Sequence, residues 1–253
     1  MIHPTAIIDP KAELADNVEI GPYSIIGPEV KIDSGTRVGP HVVINGDTTI
    51  GKNNRFFQFS SIGEENQDKK YAGEPTKTII GDNNVFRECC TIHRGTVQDI
   101  GYTKIGNNGL FMAYTHIAHD CVIGDNVIFA NNASVAGHVI VNDWVILGGF
   151  TGVHQFCKIG EHAFSGMKSS ITQDVPPYVM LHEGEPRAIN AEGLKRRGFD
   201  TDQIRDIKNA FRAIYRKGLK LDQAIEEIKL IGSGDHLTRL IDFIQQSERG
   251  IVR

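Results

Sequence analysis

The apolar residues of this chain recur with a period of six. From Ile2 to Ile62 every sixth residue is large and apolar, and the same spacing returns over 80–92 and over 105–171, where Ser165 is the one break. In most hexads a smaller residue precedes the large one by two positions, which places both side chains on one face of a short strand. Pro, Gly, Asn and Asp are frequent at the two remaining positions, and these residues favour turns. The pattern therefore predicts one short strand and one corner in every six residues.

Three such strands close a triangular coil of 18 residues, and stacked coils pair their strands in parallel about 4.8 Å apart. This predicts a mainly β triangular prism as the domain over 1–190. Pro176 and Pro177 end its repeat, because proline cannot donate to a strand ladder, and a bridging strand or loop follows to about Asn190. Two segments, at about 64–78 and 97–104, interrupt the period and are expected to be external loops. The pattern resembles the hexapeptide-repeat left-handed parallel β-helix. The handedness comes from that resemblance, since the period does not give it.

The last part of the chain changes to helical spacing. Apolar residues over 204–215, 221–228 and 237–244 recur as they do on one face of a helix. Thr201 is the expected N-cap of the first helix, and Gly232 is expected near the end of the second. The sequence thus predicts a small α-helical domain over 191–253.

The composition argues against a membrane-spanning or secreted protein. The chain has 253 residues, 27 basic and 31 acidic, and a net charge of −4. It contains no run of about 18 apolar residues, so no membrane span is expected, and its first residues enter the repeat without a signal-peptide pattern. Four scattered cysteines lack metal-type spacing and fit a reducing compartment. We therefore expect a cytoplasmic protein with no nucleic-acid partner.

Residues that are 18 apart must lie on the same edge of such a prism. His119, Gly137 and Gln155 form one such column at corner positions, and Asp120 follows His119 directly. An imidazole, a bare backbone N–H and a carboxamide are groups that serve as a general base and an oxyanion site. The alternative is that these polar corner residues are simply exposed turns.

The same region is dense in histidine, so a metal site has to be considered. His93, His116, His138 and His154 accompany His119, and the gamma-class carbonic anhydrases use this fold to hold zinc on three histidines. Two of those ligands are five residues apart, whereas His116 and His119 are three apart. We expect no metal and no cofactor, with a metal-dependent hydratase or a non-catalytic scaffold as the alternatives.

Several motifs together resemble the UDP-N-acetylglucosamine O-acyltransferase family over nearly the whole chain. They are "HIAHD" at 116–120, "HQF" at 154–156, "EGLKRRGF" at 192–199 and the insert "SIGEENQDKKYAGEPTK". The resemblance implies transfer of a (R)-3-hydroxyacyl group from acyl carrier protein to the 3-hydroxyl of UDP-N-acetylglucosamine, the first step of lipid A synthesis. The sequence leaves open whether the acceptor carries a 3-hydroxyl or a 3-amino group.

The resemblance also implies residue roles. His119 is the expected general base, Asp120 orients it, and the N–H of Gly137 holds the thioester oxyanion. Residues expected to position the acyl donor or the sugar are Asp68, Lys70, His116, His138, His154 and Gln155. Residues expected to bind the nucleotide are Asn190, Glu192, Arg196 and Arg197.

The family further implies a homotrimer with its site between adjacent prisms. The acidic carrier protein is expected to dock on basic residues of the C-terminal part, which are Lys195, Arg205, Arg212, Arg216, Lys217 and Lys220; a solvated helical surface is the alternative. Met167 stands where the family has a glycine that leaves room for long acyl chains. A filled groove rejects extra methylenes, so Met167 predicts a preference for a shorter chain of about ten carbons. A role in core packing is the alternative for Met167.

Overall fold

In the computed structural model, which describes all 253 residues, the period-six segment forms short strands separated by turns. The strands are β1 Ile7–Ile8, β2 Glu13–Leu14, β3 Glu19–Ile20, β4 Ile25–Ile26, β5 Val30–Ile32, β6 Arg37–Val38, β7 Val43–Ile44, β8 Asp47–Ile50, β9 Arg55–Phe56, β10 Ser61–Glu64, β11 Lys77–Ile80, β12 Val85–Phe86, β13 Thr91–His93, β14 Tyr102–Ile105, β15 Leu110–Phe111, β16 His116–Ile117, β17 Val122–Ile123, β18 Ile128–Phe129, β19 Ser134–Val135, β20 Ile140–Val141, β21 Ile146–Leu147, β22 Gly152–Val153, β23 Lys158–Ile159, β24 Phe164–Ser165, β25 Ser170–Ile171, β26 Val179–His182 and β27 Glu185–Ile189.

Every third strand belongs to the same sheet, so the chain winds around three faces. The sheets contain nine strands (β1 to β25), eight strands (β2 to β23) and ten strands (β3 to β27). Within the coils the pairing is parallel, and Ile7 opposite Ile25 shows the 18-residue register. The predicted three-sided prism is confirmed.

The interior of the prism is filled by ladders of the period-six residues. Phe56, Phe86 and Phe111 are buried and stack with ring centroids 4.8 and 4.7 Å apart. Ser165, the one break in the period, is also buried, and its hydroxyl is 2.9 Å from the Thr151 hydroxyl and accepts the Gly148 N–H. A buried polar group with such partners avoids the cost of an unmade hydrogen bond.

The two inserts that interrupt the period leave the pairing of strands between coils intact. Ile62 pairs with Ile92 and Ile92 with Ile117, which are 30 and 25 residues apart in sequence rather than 18. The extra residues therefore leave the prism at its corners, and flanking coils stack as they do elsewhere.

The hairpin β26–β27 closes the ten-stranded sheet with the one antiparallel pair. Four helices follow, α1 Ala191–Arg196, α2 Thr201–Tyr215, α3 Leu221–Ile231 and α4 Asp235–Gln245. The sequence pattern missed α1, which at six residues is too short to show a helical period. The apolar faces of the four helices and the interior of the coils form one continuous core. The division into two domains between residues 190 and 191 therefore stays a prediction.

The predicted N-cap of the helical part was wrong by one residue. Asp200, in an extended conformation, accepts the backbone N–H of Gln203, and the Gln203 side chain accepts the Asp200 N–H. This reciprocal capping box makes Thr201 the first helical residue. Gly232 ends α3 as predicted. None of the helices combines the length and the apolar character that a membrane crossing requires.

Candidate functional site

A cleft of about 760 Å³ runs over the late coils of the nine-stranded sheet and along one of its edges. That edge carries the corner pairs that follow β16, β19 and β22. Of the residues singled out from the sequence, those that line the cleft are Asp68, His116, His119, Gly137, His138, His154 and Gln155.

His119 and Asp120 converge at their corner although they are neighbours in the chain. His119 Nδ1 lies 2.9 Å from Asp120 Oδ2, and the Asp120 side chain is fully buried. Thr96 donates its backbone N–H (3.0 Å) and its hydroxyl (2.7 Å) to the same carboxylate. Burial opposes ionisation of Asp120, but the hydrogen bonds from His119 and Thr96 outweigh it and hold the pKa of this carboxyl below its usual value. The anionic carboxylate holds the His119 proton on Nδ1 and leaves the Nε2 lone pair free.

Gly137 lies against the His119 ring, one coil further along the prism. A Cβ built on Gly137 would be 2.5 Å from His119 Cε1, so only glycine lets the backbone approach this closely. The Gly137 carbonyl accepts the Phe156 N–H, whereas the Gly137 N–H has no acceptor within the chain. A free backbone donor beside a general base can hold a developing oxyanion.

Two further histidines form an uncharged wall of the cleft. His116 Nδ1 is 2.7 Å from the Thr91 hydroxyl, and its ring meets that of His93 edge-on at 4.9 Å. Burial, with the neighbouring histidines, lowers the pKa of His116 and lowers that of His93 to about 4. Both rings are therefore neutral near pH 7. His93 had no predicted role, because the insert of residues before His116 hides the register that relates the two coils.

The remaining cleft histidines have partners that the sequence did not reveal. His138 Nδ1 is 2.5 Å from Asp99 Oδ2, and its ring stacks on Phe156 at 4.3 Å. His154 is exposed, with Nδ1 3.4 Å from the Arg249 guanidinium. Asp99 lies in the second insert and Arg249 near the C-terminus, so no fixed spacing connects either residue to its histidine.

The first insert reaches the cleft through Gln67, Asp68 and Lys69, whereas Lys70 does not line it. A tight turn produces this order, since Asp68 Oδ1 accepts the Lys70 N–H at 2.9 Å. Arg94 fixes the base of the insert by donating to the Gly63 carbonyl at 3.0 Å. The interaction of Lys70 with a substrate stays a prediction, and Lys69 is a second candidate.

The expected nucleotide residues lie on a different edge of the prism. Asn190 caps α1 and donates its side-chain amide to the His162 carbonyl at 3.0 Å. The Arg197 guanidinium is 3.1 Å from His162 Nδ1 and lies over the Trp144 ring at 5.0 Å. Burial, Arg197 and Arg239 lower the pKa of His162 to about 4, so its ring is a neutral acceptor. Glu192 and Arg196 are exposed on the same helix. None of these four predicted residues lines the cleft.

His119, Asp120 and His138 also form a group whose ligand-type atoms lie within 4.8 Å of one another. Both histidine Nδ1 atoms face carboxylates, and Asp120 accepts three hydrogen bonds. A metal that used Asp120 as a ligand would compete with these hydrogen bonds. The arrangement provides a carboxylate-oriented base in His119, and the metal-dependent alternative is left to the test given below.

Comparisons with known proteins identify the family of the chain. A family model described as UDP-N-acetylglucosamine O-acyltransferase, domain 2, matches residues 174–252, and a bacterial transferase hexapeptide model matches 102–137. A protein of Janthinobacterium sp. named acyl-[acyl-carrier-protein]--UDP-N-acetylglucosamine O-acyltransferase is 55% identical over 100% of this chain and 99% of its own. A Thiobacillus denitrificans protein of the same name is 57% identical over 100% and 99%.

Solved structures extend the comparison to the fold. The UDP-N-acetylglucosamine O-acyltransferase of Moraxella catarrhalis matches with a TM-score of 0.96 and 49% identity, over 100% of this chain and 99% of that one. The Francisella novicida UDP-N-acetylglucosamine acyltransferase matches with a TM-score of 0.97 and 44% identity, over 100% and 94%. These matches confirm the predicted left-handed parallel β-helix with a small helical C-terminal part.

Proposed function

The chain belongs to the UDP-N-acetylglucosamine O-acyltransferase family, and from this premise we propose which reaction the cleft carries out. The protein is an acyltransferase that moves an acyl group from acyl carrier protein to UDP-N-acetylglucosamine, the first step of lipid A biosynthesis. The acyl group is a (R)-3-hydroxyacyl chain, and it is transferred to the 3-hydroxyl of the sugar. The cytoplasmic location stays a prediction.

The histidine corner supports a general-base mechanism. His119 Nε2 removes the proton from the sugar hydroxyl as its oxygen attacks the thioester carbonyl, and Asp120 stabilises the imidazolium that forms. The Gly137 N–H holds the negative charge on the carbonyl oxygen of the tetrahedral intermediate. Collapse breaks the carbon–sulfur bond, and the imidazolium returns its proton to the leaving thiolate. His116, His138, His154 and Gln155 surround the reacting groups.

The single observation that carries this proposal is the His119–Asp120 pair packed against Gly137, whose N–H is free. A direct test incubates the purified protein with acyl carrier proteins loaded with several 3-hydroxyacyl chains and with the 3-hydroxyl or the 3-amino nucleotide sugar. Ester formation on the 3-hydroxyl sugar supports the proposal, and amide formation alone would assign the chain to the N-acylating reaction. Activity that disappears with chelators, together with bound zinc, would instead support the metal-dependent alternative.

The separation between the cleft residues and the predicted nucleotide-binding residues supports a homotrimer. The cleft and the α1 residues occupy different edges of one prism, so a single chain does not surround a nucleotide sugar with both. A neighbouring copy that places its α1 against the cleft completes the site, and closed three-fold symmetry repeats this contact three times. Arg196 and Arg197 would then hold the diphosphate through their planar donors.

A site shared between chains predicts complementation between two inactive variants. His119→Ala and Arg197→Ala chains, each weakly active alone, are expected to regain about a quarter of wild-type activity when assembled together in equal amounts, because each site draws two chains at random. The measurement is acyl transfer by the co-expressed, doubly tagged oligomer. Activity no higher than that of the two variants added together would show that one chain holds the whole site.

Met167 lies at the far corner of the sheet that lines the cleft. Its side chain is 63% exposed, and its Cγ would be 3.8 Å from a Cβ on Gly149 one coil earlier. An exposed side chain of this kind is free to limit a groove, so we propose that Met167 sets the length of the acyl chain.

Met167→Gly is therefore expected to raise kcat/KM for donors longer than ten carbons by about tenfold or more relative to the ten-carbon donor. Lys168→Ala, at the exposed neighbouring corner position, is the matched control and should leave the preference unchanged. An unaltered preference in Met167→Gly would exclude this role.

The carrier-protein surface also stays a proposal. Arg205 and Lys217 are already paired with Asp202 and Glu227, at 2.7 and 2.6 Å. Lys195, Arg212, Arg216 and Lys220 have no such acidic partner among the ion pairs of the chain, so they are the stronger candidates to meet an acidic carrier protein.

A further inference from the structure

The second insert brings a carboxylate to the cleft that has no assigned role. Asp99 Oδ2 is 2.5 Å from His138 Nδ1, and the two side chains are 38% and 14% exposed. We propose that Asp99 is a positioning residue for the acyl transfer: it holds His138 with its proton on Nδ1, so that Nε2 accepts a hydrogen bond from a bound substrate. The inference rests on the proposed function and deepens it.

Asp99 is the carboxylate that His138 can use. Asp120 Oδ2 is 3.9 Å from His138 Nδ1, beyond hydrogen-bonding distance, and it already accepts hydrogen bonds from Thr96 and His119. The acceptor-only carboxylate of Asp99 requires the proton on the histidine nitrogen that faces it. In the neutral ring this leaves the lone pair on Nε2.

The ring of His138 is also fixed from two sides. It stacks on Phe156 with an interplanar angle of 4° and meets the His119 ring edge-on, at 4.9 Å and 88°. With Asp99 on Nδ1, rotation of the ring would cost both the stacking and the hydrogen bond. The lone pair of His138 Nε2, on the side of the ring away from Asp99, therefore points in one fixed direction.

The chain thus contains two histidine–carboxylate pairs at one edge, on successive coils. His119 with Asp120 supplies the general base, and His138 with Asp99 supplies a second oriented acceptor next to the Gly137 N–H. The substrates carry suitable donors close to the reacting atoms, namely the other sugar hydroxyls, the acetamido N–H and the 3-hydroxyl of the acyl chain. The last of these lies near the thioester, so an acceptor at this point would also help select hydroxylated donors.

The test is a double-mutant cycle on kcat/KM with Asp99→Ala, His138→Ala and the double variant. Asp99→Ala is expected to lower kcat/KM by about 10- to 100-fold, the loss seen when a carboxylate that orients a metal-bound histidine is removed. In the His138→Ala background the same change should have almost no further effect, because Asp99 then has nothing to orient. An equal loss in both backgrounds would mean that Asp99 only shapes the loop, and would overturn the proposal.

Asp47→Ala is the matched control. Asp47 forms an exposed ion pair with Lys77 at 3.2 Å, on strands next to the second insert and outside the cleft. Its removal should change neither kcat/KM nor the melting temperature appreciably, since exposed pairs contribute little to stability.

A second readout does not depend on acyl transfer. In ¹⁵N-histidine-labelled protein, the His138 Nδ1 signal should report a protonated nitrogen, and Asp99→Ala should shift it toward a mixture of tautomers. An unchanged signal in Asp99→Ala would overturn the proposal. If the wild-type protein were inactive with both nucleotide sugars, the proposed function would fail, while the tautomer measurement would still decide the role of Asp99.

Discussion

Replacing His119 with alanine is expected to lower kcat/KM for acyl transfer by about 10²–10⁴-fold, the usual effect of removing a general base. The structure supports His119 as the general base. Its Nδ1 faces a buried carboxylate that stays ionised, and its Nε2 is left as the basic atom. The measurement is the initial rate with a 3-hydroxyacyl carrier protein under subsaturating acceptor.

The control is His41→Ala. His41 is an exposed corner histidine of an early coil, outside the cleft, and has the same left-handed backbone as Asp120 and His138. It should retain wild-type activity, and neither variant should melt at a markedly different temperature. An active His119→Ala protein would require another base and would contradict the mechanism.

Gly137→Ala is expected to lower kcat/KM by about 10²-fold or more with little change in the free energy of unfolding. The new Cβ would lie 2.5 Å from His119 Cε1, so the imidazole must move. Asp120 holds the ring through Nδ1, and any shift lengthens that hydrogen bond or turns Nε2 away from the acceptor. A displacement of about 1 Å in a reacting group can cost about 10²-fold. Stability should change little because Gly137 does not have a left-handed backbone.

Two comparisons separate this steric effect from a general loss of order. Gly152 also lines the cleft, but a Cβ there meets nothing within 4 Å, so Gly152→Ala should cost far less activity. In a His119→Ala background the added methyl of Gly137→Ala has no ring to displace and should cause little further loss. A large further loss in that background would show that the methyl acts on the oxyanion position itself.

The fold could be predicted because one constraint repeats in every coil. Each hexad must place two side chains inward and turn, so the period identified the strands, the corners and the 18-residue register together. The same 18-residue spacing places His119, Gly137 and Gln155 on one edge from the sequence alone.

The arithmetic could not reach residues outside the repeat. Thr96 and Asp99 approach the corner from an insert whose length follows no period, and the conformation of a turn decided that Lys69, rather than Lys70, lines the cleft. The cap at Asp200 was missed for a related reason, since Thr201 has the right chemistry for an N-cap and only the backbone angles distinguish the two positions. The period also could not place the α1 residues, which follow the repeat and lie on a different edge of the prism from the cleft.

The distance between stacked coils sets the spacing between the general base and the oxyanion donor, and no particular loop conformation is needed for it. Any two consecutive coils without an insert offer the same backbone spacing to a histidine–aspartate pair and to a glycine 18 positions later. The triplet could therefore be moved to another such pair of coils by three substitutions at that spacing, together with a donor that replaces Thr96. Deleting one residue between His119 and Gly137, by contrast, would turn the donor away from the base although each residue of the triplet is still present.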